Sequence, residues 1–513
     1  MNFKKGFLVP LLVTTMICSG CSETKVTNDK TTENQNATAT IENASTTLPT
    51  IDNNKWNYNE EDGVYWQVQI PYCSNPADSK YETLGIFIPA AYMNATDNGD
   101  GTYTCELNQE AVVGNYTATN APIVIPVETP GYSAMAAPTN YISSVSGYTN
   151  AGFIYVNAGC RGRDVGAPAG VTDLKAAVRY IRYNKGTIPG SMDRIFTFGM
   201  SGGGAQSALM GATGDSELYT PYWEAIGAVE NVSDAVAGSM CWCPITNLDY
   251  ANEAYEWNLG STRSDLDEDT QTLSDNLATA FAEYINDIGL KDSEGNILTL
   301  AESEKGIYQA GSYYDYTKKV IEQSLNHFLS DTTFPYTTGG TNDFGGRGGM
   351  GNREFKDLDD IGDGELPDKM PGNGEKLTGK RKKEDFKDID VDDKGDFQKD
   401  TDNTGGYTDE NGAHFDSIMA DLLKGSDYEE AFTEDLAKTD CQGNTVDTRL
   451  NMYYPMYYLS DYYDGYQTSS VAKYWRIRTG INQGDTALST EINLSLALQN
   501  YDNTSVDFET VST

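Results

Sequence analysis

The stretch "RIFTFGMSGGGAQSALMGATG", Arg194 to Gly214, decides how the chain is read. "IFTF" is a short apolar run, as a strand buried on both faces should be, and "GGAQSALMGATG" reads as a helix closing on Gly214. Between them "GMSGG" fits G-x-S-x-G, in which a serine sits on a sharp strand-to-helix turn and small neighbours avoid clashes. Ser201 is therefore a candidate nucleophile. The backbone N–H of Gly202, at the positive end of the helix, is a candidate oxyanion donor. Glycines around a serine also occur in plain turns, and it is the flanking strand and helix that favour the reactive reading.

Outward from this turn the same alternation continues. "VYWQVQI" and "LGIFIPA" are β-rich runs bounded by turn residues, and "APIVIPV" and "AGFIYVNAG" are nearly all apolar. "AGVTDLKAAVRYIRYN" has helical spacing, with Leu174, Val178 and Ile181 on one stripe, and "AVAGSMCWCPI" is a further strand. Strands alternating with helices predict an α/β fold, a mostly parallel sheet covered by helices. A second oxyanion donor is expected from a loop after an earlier strand. "ETPGYSAM" follows "APIVIPV", so Gly131, Tyr132 or Ser133 is a candidate, and Tyr132 is the one selected. In "CWC", strand alternation would aim the sulfurs of Cys241 and Cys243 at one face. They read as buried thiols. No histidine or second cysteine pair has ligand spacing, so no metal and no other cofactor is expected.

The chain has 513 residues and a formal net charge of −40, from 76 acids against 36 bases, which argues against a nucleic-acid-binding surface. "MNFKK" followed by "GFLVPLLVTTMI" is a basic and then apolar leader, too short for a stop-transfer helix. It runs into "CSGC", and small residues before Cys21 resemble a bacterial lipoprotein signal, with cysteine at position 18 where leucine is usual. That resemblance implies lipidation of Cys21 and an outward-facing, membrane-anchored protein; an ordinary secretory signal is the alternative. Residues 22–55 read as a polar tether, 56–250 and 467–513 as the two parts of the core, and 251–466 as a tyrosine-rich lid region. Within the lid region, about 336–410 is rich in Gly, Asp and Lys and reads as a solvated insertion. Its "DIDVDDKGDFQKD" resembles a calcium loop starting at Asp388, but Asp393 and Lys399 stand where such a loop needs Gly and Glu. An exported chain permits disulfides, and sequence alone pairs none of the six cysteines after Cys21.

In a strand–turn–helix hydrolase the nucleophile is followed along the chain by an acid and then a histidine. "YWRIRTGINQGDTAL" offers Asp485 after a late strand, with an N-cap for the next helix as the bland alternative. The chain's two histidines, His327 and His414, both precede Asp485 and read as structural.

"DLKAAVRYIRYNKGTIPG", "GMSGGGAQSALMGATG" and "CWCPITNLDYANEAYEW" together resemble the bacterial tannase-like branch of the α/β-hydrolases, related to feruloyl esterases. The resemblance covers most of the chain from about Trp56, except the insertion. It implies an α/β-hydrolase fold with Ser201 as nucleophile and Asp485 as triad acid. It also implies a histidine just beyond the segment similar to "VDFETV", past Thr513, so that the core reads as truncated at its C-terminus. Tannases place another acid two residues after the triad aspartate, against galloyl hydroxyls; Ala487 stands there. The expected function is thus a surface-tethered serine ester hydrolase acting on a small-molecule or carbohydrate-linked ester, weakened by the missing base. A non-catalytic ligand-binding lipoprotein and a serine peptidase of the same fold are the alternatives.

Overall fold

The computed structural model describes residues 48–166, 168–264, 266–332, 415–480 and 487–511. Cys21, most of the tether, the 336–410 insertion with its calcium-like loop, His414 and Asp485 lie outside the described residues. Nine strands build one sheet: β1 (Asn57–Asn59), β2 (Val64–Pro71), β3 (Thr83–Pro89), β4 (Ile123–Val127), β5 (Ile154–Ala158), β6 (Ile195–Met200), β7 (Gly238–Trp242), β8 (Tyr474–Gly480) and β9 (Ser505–Val511). Their order across the sheet is β1-β2-β3-β5-β4-β6-β7-β8-β9. Pairing is antiparallel up to β3–β5 and parallel from β5 to β9. The all-apolar runs occupy the interior as expected: every residue of β4, β5 and β7 is buried. Strand β9, at the edge, is only half-buried.

The mixed α/β architecture with a mostly parallel sheet matches the sequence reading, down to the helix predicted from Leu174, Val178 and Ile181. That helix, α1 (Ala169–Tyr183), buries all three, but it is enclosed on nearly every side from Ala169 to Ile181. Its polar residues are therefore buried too. Lys175 reaches Asp234 at 2.7 Å and the Thr213 carbonyl at 2.5 Å, and Arg179 reaches the other Asp234 oxygen at 3.1 Å. Helix α2 (Gly202–Ala212) packs beside α1 on this face, while the opposite face carries an aromatic cluster around Tyr148, Phe196 and Phe198.

One local reading is corrected. Strand β7 ends at Trp242, and Cys243 takes φ 45°, so the two cysteines of "CWC" do not alternate along a strand. Cys241 is buried and Cys243 half-buried. Cys73, Cys105 and Cys160 are buried thiols outside any disulfide.

Between β7 and β8 the described chain is mainly helical, including α3 (Ala251–Leu259), α4 (Glu268–Ile288), α5 (Ser312–Asp331) and α6 (Val446–Tyr453). Helix α7 (Leu488–Asn500) then leads to β9. No helix among the described residues is long and apolar enough to cross a membrane.

The buried ion triad yields a stability prediction. Burial alone would raise the Asp234 carboxyl, but Lys175 and Arg179 hold it below its usual range. Asp234→Asn leaves two buried cations without their counter-charge and should cost about 3–5 kcal/mol in urea unfolding at neutral pH.

Candidate active site

Strand β6 delivers the chain to the C-terminal edge of the sheet, where Met200 and Ser201 are exposed. Ser201 has φ 56° and ψ −124°, a conformation L-residues avoid and one that persists only when neighbours enforce it. Its N–H donates to the Trp242 carbonyl at 2.8 Å, and its carbonyl accepts from Ala205 N–H at 2.9 Å. The turn is thereby tied both to β7 and to the first turn of α2. The Ser201 hydroxyl has no hydrogen-bond partner among the described residues.

The glycines explain how so sharp a turn fits. A Cβ on Gly203 would lie 2.0 Å from the Val127 carbonyl oxygen at the end of β4. A Cβ on Gly202 would lie 2.4 Å from the Thr129 carbonyl oxygen and 2.5 Å from the Tyr132 nitrogen. Main chain meets main chain here, and any side chain would push the strand-to-helix turn away from the loop after β4. Gly202 is the first residue of α2, so its N–H lacks an intrahelical acceptor.

That loop is the one from which a second oxyanion donor was expected. Gly131 and Tyr132 both have positive φ, 56° and 59°. The Tyr132 N–H, the donor selected from sequence, is engaged within the loop, donating to the Thr129 carbonyl at 2.9 Å. Ser133 N–H likewise donates to Pro130 at 3.1 Å. The Gly131 N–H has no such partner among the described residues, and it lies 3.2 Å from the Cβ position of Gly202. Of the three candidate residues, Gly131 is the one whose amide is unspent.

A second loop braces the first. Met135 and Cys160 exchange backbone hydrogen bonds of 2.9 and 2.8 Å, joining the segment after β4 to the segment after β5. The latter is pinned by Asp173 of α1, which accepts from Arg161 through its backbone N–H at 2.8 Å and its guanidinium at 2.7 Å. Glu82 lies 3.8 Å from the same guanidinium and 3.9 Å from the Cys73 thiol, and it also accepts from Asp78 N–H. Burial, reinforced by the neighbouring Asp173, pushes Glu82 up to about 7.

The remaining sequence candidates divide. Strands β6, β7 and β8 are parallel and in register, Met200 opposite Trp242 and Trp242 opposite Arg478. Gly480, the last residue of β8, therefore lies at the edge that carries Ser201. Asp485 itself is not described. The N-cap of α7 is Ala487, so capping by Asp485 is not what starts that helix. His327, on α5, is exposed and has Nδ1 2.8 Å from Glu509 of β9. Strand β9 is three places from β6, about 14 Å at the usual strand spacing, so His327 sits at the far edge of the sheet. Among the described residues no group of three or more His, Cys, Asp or Glu side chains is arranged to hold a metal ion.

The comparisons with known proteins agree with the α/β fold. The BD-FAE family model matches residues 113–283, which contain the braced loop, the serine turn and α3. Among curated proteins, none matches the sequence. Fusobacterium nucleatum tannase superposes with a TM-score of 0.61 at 27% identity, covering 87% of this chain and 90% of that one. The native tannin acyl hydrolase of Lactobacillus plantarum gives 0.59 at 25% identity, with 87% and 89% covered. A tannin acyl hydrolase in complex with 3,4-dihydroxybenzoate gives 0.59 at 26% identity, with the same coverage.

The Glu82 environment predicts a pH effect. A carboxyl whose folded pKa is raised binds its proton more tightly in the native state, so stability falls as pH rises between the unfolded and folded values. Glu82→Gln should therefore unfold like the parent near about pH 4 and be the more stable of the two by about pH 8, read from paired thermal melts.

Proposed function

We propose that this chain, similar to bacterial tannases and matched by the BD-FAE family model, is a serine ester hydrolase whose nucleophile is Ser201. One observation carries this reading: an exposed serine hydroxyl in a strained turn, beside an unspent helix-terminal amide. Ser201 Oγ attacks the ester carbonyl. The developing oxyanion is received by the Gly202 N–H and, from the loop after β4, by the Gly131 N–H. If the turn closed by Tyr132 opens on substrate, its amide joins them. Asp485 is assigned as the acid that orients the base imidazole.

We do not assign His327 as the base: it is paired with Glu509 on the edge strand, three strands from β6. If neither His327 nor His414, which lies outside the described residues, serves as the base, turnover is slow, because a triad lacking its base keeps only the contribution of binding and the oxyanion hole. The same observation favours one second reading, a non-catalytic protein that retains the pocket and binds its ligand.

Substrate class follows from the relatives and one residue. A relative binds 3,4-dihydroxybenzoate. At Ala487, buried and only 3% exposed, this chain has no acid to receive phenolic hydroxyls. An ester of a less hydroxylated phenolic acid, or of an acylated carbohydrate, fits better than a gallate. The tyrosine-rich segment from α3 to Tyr466 is proposed to form the lid. We also propose that Cys21 carries the lipid anchor, with the chain facing outward from the membrane.

Two measurements test this. Ser201→Ala should remove the hydrolysis of 4-nitrophenyl esters while leaving the melting temperature nearly unchanged, and His327→Ala should hydrolyse like the parent; residual full activity in the first or loss in the second rejects the assignment. A preference for peptide anilides over esters would point to the peptidase alternative. In cells, Cys21→Ser should abolish incorporation of labelled palmitate and release the protein from the membrane fraction, and retained label rejects the anchor.

A further inference from the structure

The polar contacts behind the serine turn lead away from the reacting atoms. Thr129, fully buried at the start of the loop after β4, uses both of its oxygens. Its carbonyl accepts the Tyr132 N–H, closing the turn that presents Gly131. Its hydroxyl donates to Gln206 Oε1 at 3.1 Å. Gln206 is on α2, five positions after Ser201, and is only 1% exposed. Its amide nitrogen donates to the Tyr453 hydroxyl at 3.2 Å, and Tyr453 is the last residue of α6 in the helical segment between β7 and β8. Space around this amide is tight: a Cβ on Gly170 of α1 would lie 2.6 Å from Gln206 Nε2.

Tyr132 offers the loop no alternative hold. Its side chain is buried, its hydroxyl has no hydrogen-bond partner among the described residues, and its ring meets that of Tyr453 at 5.8 Å between centroids. Packing can seat such a ring, but it is far less directional than a hydrogen bond. Beside the Met135–Cys160 brace and the glycine contacts, the side-chain hydrogen bonding that ties the loop to α2 runs through Thr129–Gln206–Tyr453. Glutamine suits its middle position, because one end must accept and the other donate.

We propose that Gln206, acting through Thr129, is a positioning residue that sets the oxyanion loop against the Ser201 turn, and that Tyr453 makes this setting depend on how the helical segment between β7 and β8 is docked. The proposal rests on the serine-hydrolase reading. It adds a route by which the segment over the site acts on transition-state stabilisation without touching the substrate. A misplaced donor weakens only the charged transition state, so the expected signature is a loss in maximal rate with little change in half-saturation.

The test uses the full chain and an alkyl fluorophosphonate, whose labelling of Ser201 needs no turnover and can be followed however slow it is. Thr129→Val and Gln206→Leu should lower the maximal labelling rate by roughly ten- to a hundredfold, with the half-saturating concentration changed by less than about twofold. Thr129→Ser keeps the hydroxyl and should restore the rate to within about threefold of the parent. Tyr453→Phe keeps the ring against Tyr132 and removes one oxygen; it should lose rate by a few-fold. Melting temperatures separate unfolded variants from mispositioned ones. If Thr129→Val or Gln206→Leu does not fold, Tyr453→Phe decides, and a parental rate there overturns the proposal. Parental rates in folded Thr129→Val or Gln206→Leu overturn it while leaving the hydrolase reading intact. Failure of the parent chain to label at Ser201, under incubations long enough to label a known serine esterase whose triad histidine has been replaced, overturns both.

Discussion

The structure depends on a close approach of main chain to main chain. At Gly203 the nucleophile helix comes so near the end of β4 that no Cβ fits, and at Gly202 it is equally near the loop that follows. Ser201 is forced through positive φ because the strand before it and the helix after it cannot separate: its N–H is fixed to Trp242 and its carbonyl to Ala205. The strain at one residue is held by contacts spread over β4, β6, β7 and α2, which is how a sparsely populated conformation survives in a folded protein. Exposure of the hydroxyl and the unspent helix-terminal amide beside it follow from this packing.

Strand order then decides what shares that edge. Because β5 to β9 are parallel, the loop after β4, the serine turn, the start of the helical segment after β7 and the last residue of β8 all lie on one side of the sheet. Residues distant in sequence meet there without any needing to be near another along the chain. The same order puts His327 at the edge strand, through its partner Glu509. A histidine can therefore follow the nucleophile in sequence and still lie three strands from it.

Much of this was legible in the sequence, and what was not has physical reasons. Buried parallel strands advertise themselves as apolar runs, and a strand-to-helix serine turn needs glycine, so "APIVIPV", "RIFTFG" and "GMSGGG" could be read directly. The interior polar chemistry could not. Lys175, Arg179 and Asp173 on α1 look like the solvated face of an amphipathic helix, yet each is buried against a counter-charge that lies tens of residues away or in a loop. Gln206 looks like any polar helix residue. Its role appears only when Thr129 and Tyr453, far apart in the chain, close around it. In the loop after β4 the sequence narrowed the second donor to three residues; which amide is free depends on a turn closed by Thr129, and backbone hydrogen bonding leaves no mark in composition. In "CWC" alternation misled because the strand stops between the two cysteines.

Around Asp249 the helical segment between β7 and β8 solves a different problem, that of burying a carboxyl without a countercharge. Asp249 is enclosed by Tyr463 and by Asn247, whose amide lies 2.5 Å away, and Tyr284 links Asn247 to Tyr463. Nearby Glu253 is fully buried beside the Asp416 carboxyl, and burial followed by the charge on Asp416 raises it well above its usual range. Asp249 is likewise pushed up to about 6 by burial. Carboxyls raised in this way take up protons on folding, so they favour the native state on the acidic side of their folded values and oppose it as pH rises through them. Self-repulsion in a chain of net charge −40 pulls in the same direction, since it too relaxes as acids protonate. Asp234 works oppositely, because its lowered carboxyl loses the Lys175 and Arg179 pairing only when the pH falls through its depressed value. The ion triad under α1 thus limits stability from the acid side and the buried carboxyls near α3 limit it from the alkaline side. The tyrosines make the latter tolerable: a phenol packs as an aromatic and donates as a hydroxyl, shielding a buried carboxyl without bringing a countercharge with it.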